Sequence, residues 1–351
     1  VQLWSPSSPA LYSASATVAL SDGASSDQLS TSFGIRSFSF NSTHGLVLNG
    51  EPVLLYGGCV HHANGPMGSK TVGRSEERRV QLLKQQGYNA IRTSHNPVSE
   101  AFLDACDRVG VVVMDEAFDC WCTHIRKAPP ARAEHFTPEP SRSARWEGKN
   151  TRDYHLWFTE WWQRDVTSMV RRDRNHASIL MWSIGNEIPG RATDEGYAYA
   201  RNISDFIRRL DAGGKRPLTS AYPGVDNKAD QYFAALDVAG YNYADGKYSS
   251  DHARVPDRVM VGTESFPDQT AAVWGAVMAD PWVVGDFIWT AIDYIGESSI
   301  GGNGHNAGGA SEDLDACGCN CTQPYPYLVS FCGDIDLVGH RTPPTHRRAV
   351  R

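Results

Sequence analysis

The chain has 351 residues, of which 41% are apolar and 21% charged, a composition ordinary for a globular protein. Its formal net charge of −7 argues against a nucleic-acid partner, because phosphate binding needs a basic patch. No apolar run approaches the roughly 20 residues that a membrane-spanning helix needs, so no membrane span is expected.

The first part of the chain contains two runs in which polar and apolar side chains alternate, LYSASATVAL and LSTSFGIRSFSF, separated by the polar stretch SDGASSD. Alternation with period two on both sides of a turn is typical of a β-hairpin. One hairpin supplies too few strands for a complete sandwich. We therefore predict that residues 1–40 are the C-terminal part of an antiparallel β-sandwich domain, and that residues 41–351 form a second domain.

In this second domain, short apolar runs alternate with amphipathic, charged stretches. The predicted strands are VLLYGGC, NAIRTS, VVVMDEA, SILMWSIGNE, RPLTSA, DVAGYNY, DRVMVGTES and VVGDFIWTAIDY. The predicted helices are RSEERRVQLLKQQG, SEAFLDACDRVG, HLWFTEWWQRDVTSMVRRDRN, TDEGYAYARNISDFIRRLDAGG, KADQYFAAL and DQTAAVWGAVMAD. Eight strands in this rhythm indicate an α/β fold, the (β/α)8 TIM barrel, rather than an open sheet. The last helix has barely begun at RRAVR, so we predict that it is truncated.

Two long polar stretches, residues 123–152 and 298–327, interrupt the barrel rhythm. Both follow a predicted strand, so we expect them on the C-terminal face of the barrel, where active sites are built. Each has a cysteine group in it or at its edge. The cysteines of the two groups are Cys120, Cys122, Cys317, Cys319 and Cys321.

The spacing of these cysteines is compatible with a metal site or with disulfides. C-x-C-x-C lacks the paired spacing of a structural zinc site, however. We favour disulfides between the two groups, which implies an extracellular or secretory compartment. Because five is odd, one thiol is left over or pairs with Cys332 or with another chain. Otherwise Cys59, Cys106 and Cys332 are predicted to be buried free thiols. Candidate N-glycosylation sequons at Asn41, Asn202 and Asn320 point weakly to the same compartment.

The strand tips of a TIM barrel converge on one pocket, so polar residues that follow the strands are the candidate site. They are His61, His62, Arg92, His95, Asn96, Asp115, Glu116, Asp119, Asn186, Glu187, Asn242, Tyr243, Glu264, Trp289 and Asp293.

Two glutamates stand out among these residues. Glu187 ends the fourth strand and Glu264 ends the seventh, so their side chains can flank one substrate. A pair of carboxyl groups about 5–5.5 Å apart is typical of a retaining glycosidase, in which one is the nucleophile and the other the acid/base. The alternative is that such carboxylates only form salt bridges. That alternative is weak for Glu187, because an apolar strand tip offers no obvious structural use for it.

The neighbouring polar residues have predicted supporting roles. Asn186 is predicted to hydrogen-bond the sugar 2-hydroxyl, and Tyr243 to keep the nucleophile ionised. The full set of predicted substrate-binding residues is His61, His62, His95, Asn186, Asn242, Tyr243 and Trp289.

The two adjacent histidines are open to three interpretations: metal ligands, sugar contacts or core packing. Neighbouring residues of a strand cannot both face one ion comfortably, and no third ligand is evident. We therefore favour His61 and His62 as sugar contacts or core residues, and we expect no metal and no other cofactor. Arg92 and Asp115 are predicted to form a buried pair that either holds the site rigid or contacts the substrate.

The sequence also resembles that of a known family. Several motifs are similar, in order and spacing, to those of glycoside hydrolase family 2. They are LWSPSSPALY, FGIRSFSF, LNGEPVLLYGGCVHHANGPMG, NAIRTSHNPVSEAFLDACDRVGVVVMDEAFD, ILMWSIGNEIP, GYNY, GTESFP, GDFIWTAIDYIGE and CGDIDLVGHRTP. That family contains β-galactosidases, β-glucuronidases and β-mannosidases. The resemblance implies that Glu187 is the acid/base, that Glu264 is the nucleophile, and that residues 1–40 end an immunoglobulin-like sandwich.

Within the family the motifs resemble the β-galactosidase branch most. β-Glucuronidases usually carry an Asn-x-Lys after the last strand, and GDIDLVGHRTPPTH lacks it, although Arg341 or a loop residue could take its place. The magnesium-binding pattern after DEA is also missing, which again predicts no obligatory metal. The family normally places further domains before residue 1. The resemblance implies a carbohydrate partner. It also implies that domains are missing from this chain or that the chain belongs to a larger assembly. The rival interpretation is a catalytically retired, carbohydrate-binding component of an extracellular assembly.

Overall fold

The computed structural model describes residues 1–21, 26–119, 121, 154–294 and 332–342. The chain begins with an antiparallel hairpin, β1 (Tyr12–Ala19) and β2 (Ser26–Phe33), in which Tyr12 lies opposite Phe33. The predicted hairpin is therefore confirmed. A second antiparallel sheet follows, formed by β3 (Phe38–Asn41), β4 (Gly45–Leu48) and β5 (Glu51–Val53). The proposed domain boundary at residue 40 falls inside β3.

Eight parallel strands close into a barrel, which confirms the predicted fold. They are β6 (Leu55–Val60), β7 (Ala90–Thr93), β8 (Val112–Glu116), β9 (Ile179–Asn186), β10 (Leu218–Pro223), β11 (Ala239–Asn242), β12 (Met260–Ser265) and β13 (Val283–Ile288). The helices around them are α1 (Gly73–Gln85), α2 (Glu100–Val109), α3 (His155–Asp173), α4 (Asp194–Leu210), α5 (Ala229–Phe233), α6 (Tyr248–Arg254) and α7 (Thr270–Ala279).

The helix α6 lies in a stretch that the sequence pattern left without a helix. It is one short piece, YSSDHAR, and within it only Tyr248 and Asp251 are buried. Such a segment has no repeating apolar face, and tertiary packing decides its conformation. The truncated eighth helix that the sequence predicts at RRAVR lies outside the described residues.

The apolar residues of the barrel strands form two cores. One fills the barrel and includes Cys59, Met114 and Phe287, and the other lies between strands and helices and includes Ile91, Val113 and Trp182. Because side chains alternate across a strand, the consecutive residues Val113 and Met114 of β8 belong to different cores. This alternation also decides which polar residues at the strand tips can meet inside the barrel.

Capping residues mark where helices begin and end. The hydroxyl of Ser99 accepts a hydrogen bond from the backbone N–H of Phe102 and so caps α2, which ends at Gly110 in the left-handed conformation with φ of 79°. Thr193 caps α4 in the same way, through the N–H of Gly196. Within the described part of the chain, no helix is both long and apolar enough to cross a bilayer.

The cysteine predictions have mixed outcomes. Cys59 and Cys106 are buried free thiols, as expected. Cys332 is disulfide-bonded, so its interpretation as a free thiol is wrong. The cysteines of the two groups, Cys120, Cys122, Cys317, Cys319 and Cys321, lie outside the described residues, and their pairing stays a prediction.

The sequons also stay predictions. Asn202 is exposed on α4, whereas Asn41 is half-buried at the end of β3. The side-chain oxygen of Asn41 accepts hydrogen bonds from the N–H groups of Thr43 and His44. Asn320 lies outside the described residues.

Candidate active site

Glu264 lies at the C-terminal end of β12 with only 4% of its surface exposed. The guanidinium of Arg92 donates to it, with 2.8 Å between Nη1 and Oε1. The hydroxyl of Tyr243 also hydrogen-bonds this carboxylate. Burial, followed by the charge of Glu264, raises the pKa of Tyr243 well above its ordinary value, so the phenol stays protonated and can donate.

Glu187 follows β9 directly. The amide of Asn242 donates to it, with 3.1 Å between Nδ2 and Oε1. Both Glu187 and Tyr243 have left-handed backbones, with φ of 45° and 51°. Side chains other than glycine rarely adopt this conformation, and it costs of order 1–3 kcal/mol where it is held. The backbone is thus strained at two of the candidate residues.

A hydrogen-bonded chain connects the two glutamates. Asn186 accepts on Oδ1 from Arg92 Nη2 at 2.9 Å and from Asn242 Nδ2 at 3.3 Å. Its own amide donates to Asp119 Oδ1 at 3.0 Å. These contacts fix the orientation of the Asn186 amide, because the oxygen faces two donors and the nitrogen faces an acceptor.

The carboxylate partners of Arg92 are Glu116 and Glu264, and the predicted pairing with Asp115 is wrong. Arg92 donates to both oxygens of Glu116, with 2.7 Å for the shortest contact, and both side chains are fully buried. Arg92 and Glu116 point into the barrel. Asp115 is the preceding residue of β8 and therefore points outward, where it accepts from Thr93 Oγ1 at 3.3 Å.

These two neighbours on β8 have opposite pKa shifts. Burial opposes ionisation of Glu116, but Arg92 and His95 outweigh it and lower its pKa. Burial, followed by the nearby carboxylate of Asp173, raises the pKa of Asp115 well above its ordinary range. Their surroundings thus favour the ionised form of Glu116 and disfavour that of Asp115.

The histidines have separate partners. His61 Nε2 accepts from Trp289 Nε1 at 3.0 Å, and burial followed by the charge of His95 lowers the pKa of His61 well below its ordinary value. His61 is therefore neutral. His62 Nε2 contacts the carbonyl of Pro97 at 3.1 Å, so the two rings do not share a ligand position. His95 bridges carboxylates, with Nδ1 at 2.9 Å from Glu116 and Nε2 at 3.7 Å from Glu264.

A potential metal-binding group among the described residues lies elsewhere. Asp104, Asp107 and His176 place ligand atoms within 4.8 Å of one another. Because they lie where α2 ends and shortly before β9 begins, they are at the opposite end of the barrel from Glu187 and Glu264. His176 already contacts Asp107 at 2.7 Å, an ion pair that accounts for the cluster.

A cavity of about 560 Å³ opens beside these tips and extends towards α3. Its described walls are His61, His62, Ala63, Ser69, Ser94, His95, Asn96, Pro97, Ala117, Phe118, Asp119, Tyr154, Asp165, Val166, Met169 and Tyr294. The structure thus brings His61, His62 and His95 to one cavity. Trp289 hydrogen-bonds His61 but is not among the described lining residues. The same holds for Asn186, Glu187, Asn242, Tyr243 and Glu264. The walls from α3 were not foreseen, since Val166 and Met169 look in sequence like ordinary core residues of a helix.

Two supporting residues were also missed by sequence reasoning. Ser183 Oγ donates to Glu116 Oε2 at 2.7 Å, and Tyr294 stacks on His61 with 4.4 Å between ring centres. Ser183 shares its strand with Asn186, so its position in a barrel strand was a usable signal. The peptide bonds Ser94–His95 and Trp289–Thr290 are cis.

Family models match most of the described chain. Residues 42–252 match the model described as "Glycosyl hydrolases family 2, TIM barrel domain", and residues 1–36 match "Glycosyl hydrolases family 2".

Curated relatives are much longer than this chain. Beta-galactosidase BoGH2A of Bacteroides ovatus is 31% identical over 96% of this chain and 43% of its own length. A putative beta-glucuronidase of Formosa agariphila is 32% identical over 99% of this chain and 36% of its own length. The chain therefore spans less than half the length of these relatives.

Solved structures have the same architecture. A glycosyl hydrolase family 2 member from Bacteroides cellulosilyticus has a TM-score of 0.83 and 40% identity, covering 99% of this chain and 40% of that one. A β-glucuronidase of Bacteroides uniformis, with 20% identity and a TM-score of 0.72, has the same fold and is covered to 40%. Since the barrel model matches more than half of the residues, this chain belongs to glycosyl hydrolases family 2.

Proposed function

We propose that the site is that of a retaining exo-β-glycosidase, with Glu264 as nucleophile and Glu187 as acid/base. The observation that carries the proposal is the pair of glutamates at the ends of β9 and β12, which a hydrogen-bonded chain through Asn242, Asn186 and Arg92 connects. A buried guanidinium and a protonated phenol donate to Glu264, and the Asn242 amide donates to Glu187. Retaining glycosidases use two such carboxyl groups, one that attacks the sugar and one that exchanges a proton.

In the first step, Glu264 attacks the anomeric carbon while Glu187 protonates the glycosidic oxygen. The bond to the leaving group breaks and a glycosyl ester forms on Glu264. In the second step, Glu187 removes a proton from water, and the water oxygen displaces Glu264 from the anomeric carbon. Glu264 is the attacking carboxylate of the first step and the carboxylate leaving group of the second, and Arg92 and Tyr243 donate hydrogen bonds to it.

Asn186 is proposed to contact the 2-hydroxyl of the sugar. One of its two amide hydrogens is directed to Asp119, and the other is available to a ligand. Asn242 orients both Asn186 and Glu187 through its own amide. His61, His62, His95 and Trp289 are proposed to contact the remaining sugar hydroxyls.

The proposed sugar is galactose, so the finer proposal is a β-galactosidase. The motif pattern and the name of the Bacteroides ovatus relative support it. Arg341, the candidate replacement for a uronate-binding lysine, instead hydrogen-bonds the side chain of Gln86 at the end of α1. This helix end leads into the start of β7, which is the opposite end of the barrel from Glu187. β-Glucuronidase and β-mannosidase are the alternatives within the family.

A panel of nitrophenyl β-glycosides tests the proposal. We expect turnover of the galactoside, with the β-anomer of free galactose appearing first in a proton NMR time course. Glu264→Gln should abolish turnover, whereas Glu160→Gln, a matched change of an exposed glutamate on α3, should not alter it. Full activity of Glu264→Gln would contradict the mechanism. No turnover on any glycoside would favour the rival, a retired carbohydrate-binding component.

A further inference from the structure

Thr263, the residue before the proposed nucleophile, lies where the pairing of two barrel strands changes. Tyr241 of β11 lies opposite Gly262 of β12. The next residue of β11, Asn242, lies opposite Glu264, so the register shifts by one residue at Thr263. Such an irregularity turns a side chain away from the direction that strict alternation along a strand would give it. The side chains of Thr263 and Glu264 can therefore both reach residues of the site.

The hydroxyl of Thr263 contacts the amide that holds Glu187. It donates a hydrogen bond to the side-chain oxygen of Asn242, with 2.7 Å between Oγ1 and Oδ1, and both residues are buried. The nitrogen of the same amide donates to Glu187 Oε1 at 3.1 Å and to Asn186 Oδ1 at 3.3 Å. The amide oxygen thus faces a donor and the nitrogen faces two acceptors, which defines one orientation of the Asn242 amide.

The backbone of Thr263 contacts the partner of the other glutamate. Its carbonyl accepts from Arg92 Nη1 at 3.0 Å, and the same nitrogen donates to Glu264 Oε1 at 2.8 Å. Thr263 is therefore bonded to a partner of each glutamate through a different group. A substitution of the side chain removes the contact on the side of Glu187, while the carbonyl keeps the contact on the side of Glu264.

We propose that Thr263 is a positioning residue for acid catalysis, because its hydroxyl fixes the Asn242 amide with the nitrogen towards Glu187. This inference rests on the proposed function, since it takes Glu187 as the acid/base. The hydrogen bond from Asn242 restricts rotation of the Glu187 carboxyl group, and a general acid must be held within hydrogen-bond reach of the glycosidic oxygen. Without the hydroxyl, the buried oxygen of Asn242 loses its donor, so the amide turns away from Glu187 to find another partner.

Thr263→Val tests the inference, because valine keeps the shape of the side chain and removes the hydroxyl. The substrates are the phenyl and dinitrophenyl β-glycosides of the sugar that the nitrophenyl panel identifies, for which we expect galactose. The phenyl glycoside has a poor leaving group and depends on acid assistance, whereas the dinitrophenyl glycoside needs little. We expect kcat/KM to fall by about tenfold or more for the phenyl glycoside and to stay within about twofold for the dinitrophenyl glycoside.

Two further variants are controls. Thr263→Ser keeps the hydroxyl and should retain wild-type kcat/KM on both substrates. Thr219→Val makes the matched change on β10, where Thr219 is fully buried and its hydroxyl has no hydrogen-bond partner in the described part of the chain. It should also leave both values unchanged, because the removal of a buried hydroxyl alone does not affect the acid.

An equal loss on both substrates in Thr263→Val would overturn the inference, since a merely structural role acts on both. A wild-type value for the phenyl glycoside would also overturn it. If Thr263→Val fails to fold, Thr263→Ser decides: wild-type values on both substrates would support the inference, and a loss on the phenyl glycoside would overturn it.

If no glycoside is turned over, the proposed function fails, and NMR of the side-chain amides decides whether Thr263 holds Asn242 against Glu187. The amide resonances of Asn242, assigned by their loss in Asn242→Ala, should shift when Glu187→Gln is introduced into the wild-type protein. The same substitution should shift them clearly less in the Thr263→Val protein. An equal response in the two proteins would overturn the inference.

Discussion

Arg92 and Glu264 form a buried ion pair across the inside of the barrel, with 2.8 Å between Nη1 and Oε1. The same guanidinium holds Glu116 and Asn186, so one side chain from β7 orients groups on β8, β9 and β12. A planar fork of donors can do this, whereas the point charge of a lysine cannot.

Arg92→Lys should therefore retain a positive charge but lose the simultaneous hydrogen bonds to Glu116, Glu264 and Asn186. We expect kcat to fall by about 10²-fold with a smaller change in KM, because the nucleophile is misplaced in both chemical steps. Steady-state kinetics on the galactoside, with thermal unfolding to confirm folding, measure this effect. Arg78→Lys, an arginine on α1 that donates to the backbone carbonyl of Val338, is the control. Wild-type kcat in Arg92→Lys would show that the fork does not position Glu264.

Glu187→Ala should separate the two chemical steps. An activated substrate such as a dinitrophenyl glycoside needs little acid assistance, so its first step should survive and the glycosyl ester should accumulate. Overall turnover should fall by about 10²–10⁴-fold, the usual contribution of a general acid/base. Azide should restore turnover and give a β-glycosyl azide, because an anion needs no general base. Failure of azide to accelerate the variant would contradict this role.

Tyr243→Phe should slow catalysis while preserving the fold. The substitution removes the hydroxyl that donates to Glu264 and leaves the ring stacked on Phe266, where the ring centres are 4.4 Å apart. We expect kcat to fall by about tenfold or more, in line with the loss of one hydrogen bond to a charged group. Because the pKa of Tyr243 is raised, its ionisation does not set the alkaline limb of the pH profile. The pH of the alkaline limb should be the same in the variant as in wild type. A shifted limb would refute the role of Tyr243 as a protonated hydrogen-bond donor.

The barrel could be predicted from the chain because eight apolar runs alternate with amphipathic ones, a pattern that few folds satisfy. Glu187 and Glu264 could be placed because each ends a buried strand. The partner of Arg92 was mistaken, since the side-chain alternation that puts Arg92 and Glu116 inside was not applied to the pair Asp115 and Glu116. The cavity wall from α3 could not be foreseen, because it depends on how that helix packs.

Glu116→Gln should weaken the fold most at neutral pH. Glu116 has a lowered pKa in the folded state, so its contribution to stability is present above its unfolded pKa and is lost as the pH falls through its folded pKa. We expect the variant to lose about 3 kcal/mol at pH 7, because Arg92 keeps only part of its buried countercharge. The difference from wild type should shrink in acid. Denaturant unfolding at several pH values measures it, and a difference that is constant with pH would contradict the linkage.

Asp115→Asn should have the opposite pH dependence, although Asp115 and Glu116 are consecutive residues. The pKa of Asp115 is raised by burial and by Asp173, so its ionisation costs stability as the pH rises above its unfolded pKa. Asparagine resembles the protonated acid and carries no such cost. The stability of the variant relative to wild type should therefore increase with pH between about 4 and 7. Since Asp115 faces away from the barrel interior, kcat should stay within about twofold of wild type. The same unfolding series measures the stability, and a variant that loses stability relative to wild type as the pH rises would show that Asp115 is ionised in the folded protein.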